Sequence, residues 1–265
     1  IQLHIHPQWV GANYKNNRWE VDYSNWRLGD FSESEGLTIE RLLFEGKKSI
    51  ETLIQQVIPE YKCIALRAGG YNVMPSSEVY RAMKKTGFRI DSSVFPGGYE
   101  TGNLSNYDYR NVSRELDFWW ASPEDVRQRS TQYQEIIELP VFALKFPRWR
   151  KFFSLHRLKS MLSSNTSASS LTKSKIGQKS FFDKIYYAFE KESFTWDFFL
   201  YSTWLHNQFI LYVVKKLPKH RNYFVLIGHP KSPFNKNAFI KLIKKIKKKN
   251  ANFITVNNFE RKLTQ

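Results

Sequence analysis

Apolar runs of strand length alternate with helical stretches along this chain, and that alternation restricts the fold more than any other feature. Cys63-Ile64-Ala65-Leu66 and Tyr223 to Gly228 are short and continuously apolar, as strands buried on both faces require. Phe88 to Val94 and Glu135 to Val141 are further strand candidates, and Phe253 to Val256 reads as a closing strand. Helical periodicity fills the intervals. Ser49 to Tyr61 reads as a helix capped by Ser49 and ended by Pro59, and Ser76 to Lys85 as one capped by Ser76 or Ser77 with Gly87 just past its end,. Trp196 to Leu217, stopped by Pro218, and Asn235 to Lys249 complete the helical set,. Strands alternating with helices build parallel βαβ units, so the expected fold is α/β, either a barrel or an open parallel sheet.

The 265 residues, 42% hydrophobic and 16% aromatic, suffice for a sizeable core, and we read a single domain over 1–265. Arg157 to Lys179 breaks the rhythm. It is rich in Ser, Thr and Lys and reads as a flexible insertion outside the catalytic centre,. The single cysteine, Cys63, excludes an intramolecular disulfide framework and a cysteine-based zinc knuckle,. No stretch is long and apolar enough to span a bilayer, and we expect a cytoplasmic protein. The formal charge is +17, its excess scattered apart from a densest run at Lys241 to Lys249, where Leu242, Ile243 and Ile246 recur at helical spacing between lysines. That is the pattern of a solvated amphipathic helix, able at most to associate weakly with an anionic membrane surface. Nucleic acid is not an expected partner, because the basic runs lack interleaved aromatics and a groove-reading motif.

In parallel α/β folds ligands bind at the carboxyl ends of strands, so the residues that follow each apolar run are the site candidates. His4 and His6 end the run Ile1-Gln2-Leu3-His4-Ile5-His6 and share a face if it is a strand,. That makes a metal-binding edge, or else an ordinary surface pair. Arg67-Ala68-Gly69-Gly70-Tyr71-Asn72 follows the next strand, Asp91-Ser92-Ser93 the third, and Gly228-His229-Pro230 the last buried run. Each has a structural alternative: glycines relieve sterics, Asp91 caps a turn, and Arg67 pairs with a carboxylate.

The ordered set LHIHP, RAGGYN, GFRIDSSVFP, ELPV and IGHP resembles the polysaccharide deacetylase superfamily with NodB homology, in its divergent WbmS-like branch. The resemblance covers roughly Ile1 to Phe259 apart from the insertion. It implies a distorted (β/α) barrel of about seven units holding one divalent metal, zinc above all, with nickel, cobalt or manganese as alternatives. It also implies a hydrolase that removes an acetyl or formyl group from the nitrogen of a sugar in surface-polysaccharide (O-antigen or capsule) biosynthesis or modification, acting on a carbohydrate or a nucleotide-sugar. His4 and His6 match the metal histidines, Arg67 the arginine of the third motif, and His229 the late acid that protonates the departing amine. Asp91 is the first candidate for a catalytic carboxylate, and Trp9, Tyr71 and Asn72 for substrate contacts. The aspartate pair that opens the family pattern has no counterpart, so we expect an N-terminally truncated barrel whose first strand precedes Ile1, and a fragment inactive by itself. A catalytically inactive, carbohydrate-binding relative of the same fold is the competing expectation, with Trp9, Trp19, Trp26, Trp119 and Trp120 as stacking faces.

Overall fold

The structure is a computed structural model that describes residues 1–31, 36–153, 186–216, 222–229 and 235–263. The Ser/Thr/Lys-rich insertion at 157–179 and Pro218, Pro230, Lys231 and Ser232 lie outside the described residues. Contacts divide the chain into two compact units: Ile1–Val112 with Leu116–Pro140, and Ser113–Glu115 with Val141–Gln265.

The first unit runs β1 (Leu3–Ile5), β2 (Asn13–Lys15), β3 (Arg18–Glu20), α1 (Ile39–Ile54), β4 (Ala65–Ala68), α2 (Ser76–Lys85), β5 (Ile90–Asp91), β6 (Tyr99–Thr101), β7 (Asn106–Asp108), β8 (Trp119–Trp120) and β9 (Ile137–Glu138). Its main sheet has the order β1-β4-β5-β9-β8; the first three pairings are parallel and β8 joins antiparallel. Among the described residues this sheet is open, not closed into a barrel. The mixed α/β class follows from the alternation of the sequence. The expected helix at Ser49–Tyr61 instead begins at Ile39, because Thr38 accepts the Arg41 amide as its N-cap,. Ser49 lies inside that helix and returns its hydroxyl to the Glu45 carbonyl at 2.8 Å,. Gly46 lets α1 approach β1: a Cβ there would stand 3.1 Å from Leu3 Cδ1.

In the second unit β10 (Ala143–Pro147) pairs antiparallel with β11 (Lys191–Thr195), and α3 (Thr203–Lys216), α4 (Lys236–Lys247) and α5 (Val256–Leu263) follow. Its core is aromatic. Phe142, Phe146, Phe194, Trp196, Tyr201 and Phe209 are buried together, with Trp196 and Phe209 stacked at 4.9 Å, a geometry that adds to simple area burial. Trp196 and Asp197 do not belong to the helix expected from Trp196 onward. The Asp197 carboxylate accepts the amides of Phe199 and Leu200, closing a turn that delays the helix to Thr203,. Val225 and Ile227 make isolated parallel bridges to Val141 and Asp197 where a full strand was expected. No strand forms at the expected Phe253–Val256: Phe253 to Thr255 are irregular and Val256 opens α5, whose start is fixed by the Thr255 hydroxyl accepting the Asn258 amide,.

Cys63 is fully buried just before β4, and burial pushes its thiol pKa up, as befits an inert packing residue,. Among the described residues no helix is long and apolar enough to cross a membrane.

Candidate functional site

The carboxyl end of β1 carries the imidazoles of His4 and His6, with Nε2 to Nε2 at 3.0 Å and ring centroids 4.6 Å apart. A carbonyl can only accept, so the 3.0 Å contact from His4 Nδ1 to the Arg67 carbonyl places the His4 proton on Nδ1,. That leaves the Nε2 lone pair facing His6, the tautomer a metal-ligating histidine adopts. On His6 the Nδ1 meets the Gln8 side-chain amide at 3.3 Å. Turning that amide to present its oxygen would fix His6 in the same tautomer, an exchange that leaves the shape of Gln8 unchanged. Two imidazoles bound to one ion at about 2.0–2.1 Å each bring their nitrogens to roughly this separation. Among the described residues no third His, Cys, Asp or Glu groups with them. The residues present therefore fit two positions of a metal site.

Glycine makes this arrangement possible. A Cβ on Gly69 would stand 2.7 Å from the Ile5 carbonyl and 2.8 Å from His6 Nδ1, so the loop after β4 touches the histidine strand only because that side chain is missing. Gly69→Ala is expected to destabilise the protein by about 1–3 kcal/mol and to displace the His6 ring, read as a lowered thermal midpoint and a shifted His6 imidazole resonance. Gly70 and Tyr71 follow with φ of +62° and +61°, the second an uncommon conformation for a ring-bearing residue. The Tyr71 carbonyl accepts the Tyr109 hydroxyl at 2.6 Å, which helps hold the turn.

The other expected residues divide by sheet register. His4 pairs with Arg67, whereas Leu66 pairs with Asp91 and Asp91 with Glu138. Neighbours along a strand alternate faces, so Asp91 lies on the face opposite His4 and Arg67 instead of joining them. Asp91 and Glu138 are both 0% exposed. Asp91 accepts the Ser93 hydroxyl, and Glu138 accepts the Val94 amide at 3.3 Å. Burial, then the facing Asp91 carboxyl, push the Glu138 pKa well up, and burial raises that of Asp91,. Asp91 and Glu138 are paired in register, and Asp91 Oδ2 and Glu138 Oε2 are buried with no other donor among the described residues to satisfy them, so a proton held between the two carboxyls would satisfy both. Arg67 is tied to Ser92, Nε donating to its carbonyl at 2.8 Å and a terminal nitrogen to its hydroxyl at 2.9 Å, and its positive charge still acts on Asp91 and Glu138, opposing part of their upward shift.

Asn72 is fully buried, its amide nitrogen donating to Ser105 and its oxygen accepting the Met74 amide. It organises the loop rather than offering an amide to a ligand. Of the five tryptophans considered as stacking faces, Trp119 is buried with its indole N–H on the Val126 carbonyl, and Trp26 and Trp120 are half-buried. Trp9 and Trp19 are exposed.

His229 belongs to the second unit, where its Nδ1 meets the nearly buried Asp197 carboxylate at 2.5 Å. Nδ1–H donates there, which makes Nε2 the nitrogen available for proton transfer. Asp197 was hidden in the sequence because FTWDFF reads as the start of an aromatic helix; an acidic residue directly after an apolar run was the available signal. His206 is a further buried histidine. Trp196 Nε1 donates to its Nδ1 at 3.1 Å, and burial lowers its pKa to about 4, so the ring is neutral in ordinary buffers,.

Comparison with family models, curated proteins and solved structures finds no match to this chain.

Proposed function

We propose that this protein is a metal-dependent hydrolase that removes an N-acyl group, acetyl or formyl, from a sugar in surface-polysaccharide biosynthesis or modification. In this reading the parallel sheet is part of a distorted (β/α) barrel acting in the cytoplasm. The observation that carries it is the His4–His6 pair: two nitrogens 3.0 Å apart at a strand's carboxyl end, one of them held in the ligand tautomer by a backbone carbonyl,. A divalent ion bound there, zinc in preference to nickel, cobalt or manganese, would polarise the acyl carbonyl and make water a usable nucleophile near neutral pH. The net reaction forms a C–O bond to water and breaks the amide C–N bond, leaving a carboxylic acid and an amine. An amine is a poor leaving group until protonated, and the resemblance gives that acid's role to His229, which Asp197 orients within the second unit,. Arg67, locked to Ser92, supplies fixed positive charge next to the histidine strand.

The test combines metal content with acyl release. The full-length protein, dialysed against zinc, is expected to retain one equivalent and to liberate acetate or formate from N-acyl hexosamines, and His4→Ala with His6→Ala is expected to lose both. Stoichiometric zinc in the double variant would overturn the site. Zinc retention by the wild type without acyl release would favour the catalytically inactive carbohydrate-binding reading, which the exposed rings of Trp9 and Trp19 support.

A further inference from the structure

The β2–β3 hairpin is short, projects no residue into the core, and is closed by Asn16 and Asn17 with φ of 50° and 59°. Two central residues in the left-handed region form the tight turn that matches strand twist. Within it Tyr14 pairs directly with Trp19, so both rings share one face, while Asn13, Lys15, Arg18 and Glu20 take the other,. Trp9 adds to the aromatic face, its ring 5.8 Å from Trp19 and that of Tyr14 5.3 Å from Trp19. All three stay in water, with exposures of 51% for Trp9, 60% for Tyr14 and 56% for Trp19. A two-stranded hairpin is marginal in isolation, and leaving three large rings half wet forgoes the burial that would otherwise stabilise it.

The hairpin is attached to the histidine strand. Gln8 contacts His6 through its side chain while its carbonyl accepts the Asp22 amide just beyond β3 at 3.0 Å, and Trp9 comes three residues after His6. We propose that Trp9, Tyr14 and Trp19 form a stacking platform for the pyranose rings of an N-acetylated hexosamine oligomer, making the substrate an extended glycan rather than a single sugar. The choice of sugar rests on the N-deacylase reading. The choice of a sugar over a protein partner rests on the composition of the hairpin: its strands carry aromatic rings and hydrogen-bonding side chains and no aliphatic residue. Pyranoses offer the match for that combination, apolar C–H faces edged with hydroxyls. A protein interface would be expected to bring aliphatic packing around the rings.

The experiment is calorimetric titration of the full chain, in EDTA so that no metal chemistry contributes, with tetra-N-acetylchitotetraose and with N-acetylglucosamine. The tetrasaccharide is expected to bind more tightly than the monosaccharide. Trp19→Ala and Tyr14→Ala should each weaken tetrasaccharide binding about tenfold or more, while Trp19→Phe keeps most of it. Vesicles of phosphatidylglycerol and phosphatidylcholine serve as the competing probe, since Trp and Tyr also suit a membrane interface. Absence of tetrasaccharide binding, equal binding by Trp19→Ala, or Trp19-dependent binding to vesicles alone would overturn the proposal. Binding in EDTA that needs Trp19 upholds it even where zinc-loaded protein releases no acyl group, so the platform and the hydrolase reading can fail separately.

Discussion

On the N-deacylase reading, His229→Ala in the full-length protein is expected to lower turnover by about 10²–10⁴-fold, the range for removing a positioned general acid, with zinc content unchanged. The geometry behind this is the 2.5 Å contact from His229 Nδ1 to an Asp197 carboxylate that is itself almost wholly buried. Asp197 is a positioning residue, so its replacement should act through the imidazole. Asp197→Asn can still accept the amides of Phe199 and Leu200 through its side-chain oxygen, and the turn that starts α3 should survive. It offers no negative charge to hold His229 in one tautomer, so kcat should drop while KM stays close to its original value. Asp197→Ala loses the turn bonds as well and should lower the thermal midpoint. Wild-type kcat in His229→Ala would reduce the pair to a packing feature, and a fall in KM-dependent binding alone would assign it to substrate contact.

Much of the local structure could be read from the chain because local chemistry decides it. The helix Ser76–Lys85 has the boundaries its sequence suggests, although its N-cap is Pro75 with no side-chain cap bond instead of Ser76 or Ser77, and α4 lies within the expected Asn235–Lys249, with Asn235 capping the Ala238 amide. The histidine pair was legible because alternation along one strand is enough to put His4 and His6 together. Failures occurred where a side chain has two local uses. Ser49 resembles a cap but bonds backward inside a helix, Thr255 resembles a strand residue but caps α5, and Asp197 interrupts an aromatic run that otherwise has helical character. The β2–β3 hairpin is faint in the sequence because its strands have only three residues each, although the two asparagines between NYK and RWE are a turn signal,. Register was out of reach altogether. Asp91 follows an apolar run just as Arg67 does, yet a pairing of Leu66 with Asp91 sends the two side chains to opposite faces,. Glu138 was masked for the same reason: within ELPV it looks like the polar edge of a strand, and only the pairing with Asp91 shows a second buried carboxyl beside the first.

That carboxyl pair should make folding stability fall as pH rises. Burial and the facing carboxyl raise the Glu138 pKa well above its ordinary 4.5, and burial raises Asp91 above its ordinary 3.8. The native state therefore keeps protons that the unfolded chain has released, and stability declines as pH climbs from those ordinary values through the raised ones. Below the ordinary values the contribution is fully present. Glu138→Gln should remove most of this slope, because an amide donates to Asp91 without titrating, and the variant should be at least as stable as wild type at neutral pH. Glu138→Ala removes the donor, leaves the Val94 amide without its acceptor, and opens a cavity beside a buried Asp91. A cost of about 2–4 kcal/mol is expected from the orphaned groups and lost packing. Urea unfolding of the three proteins between pH 5 and 9 distinguishes these outcomes. A wild-type stability that rises across that range with Glu138→Gln parallel to it would mean that both carboxylates are ionised and held by positive charge, with Arg67 as their counter-ion.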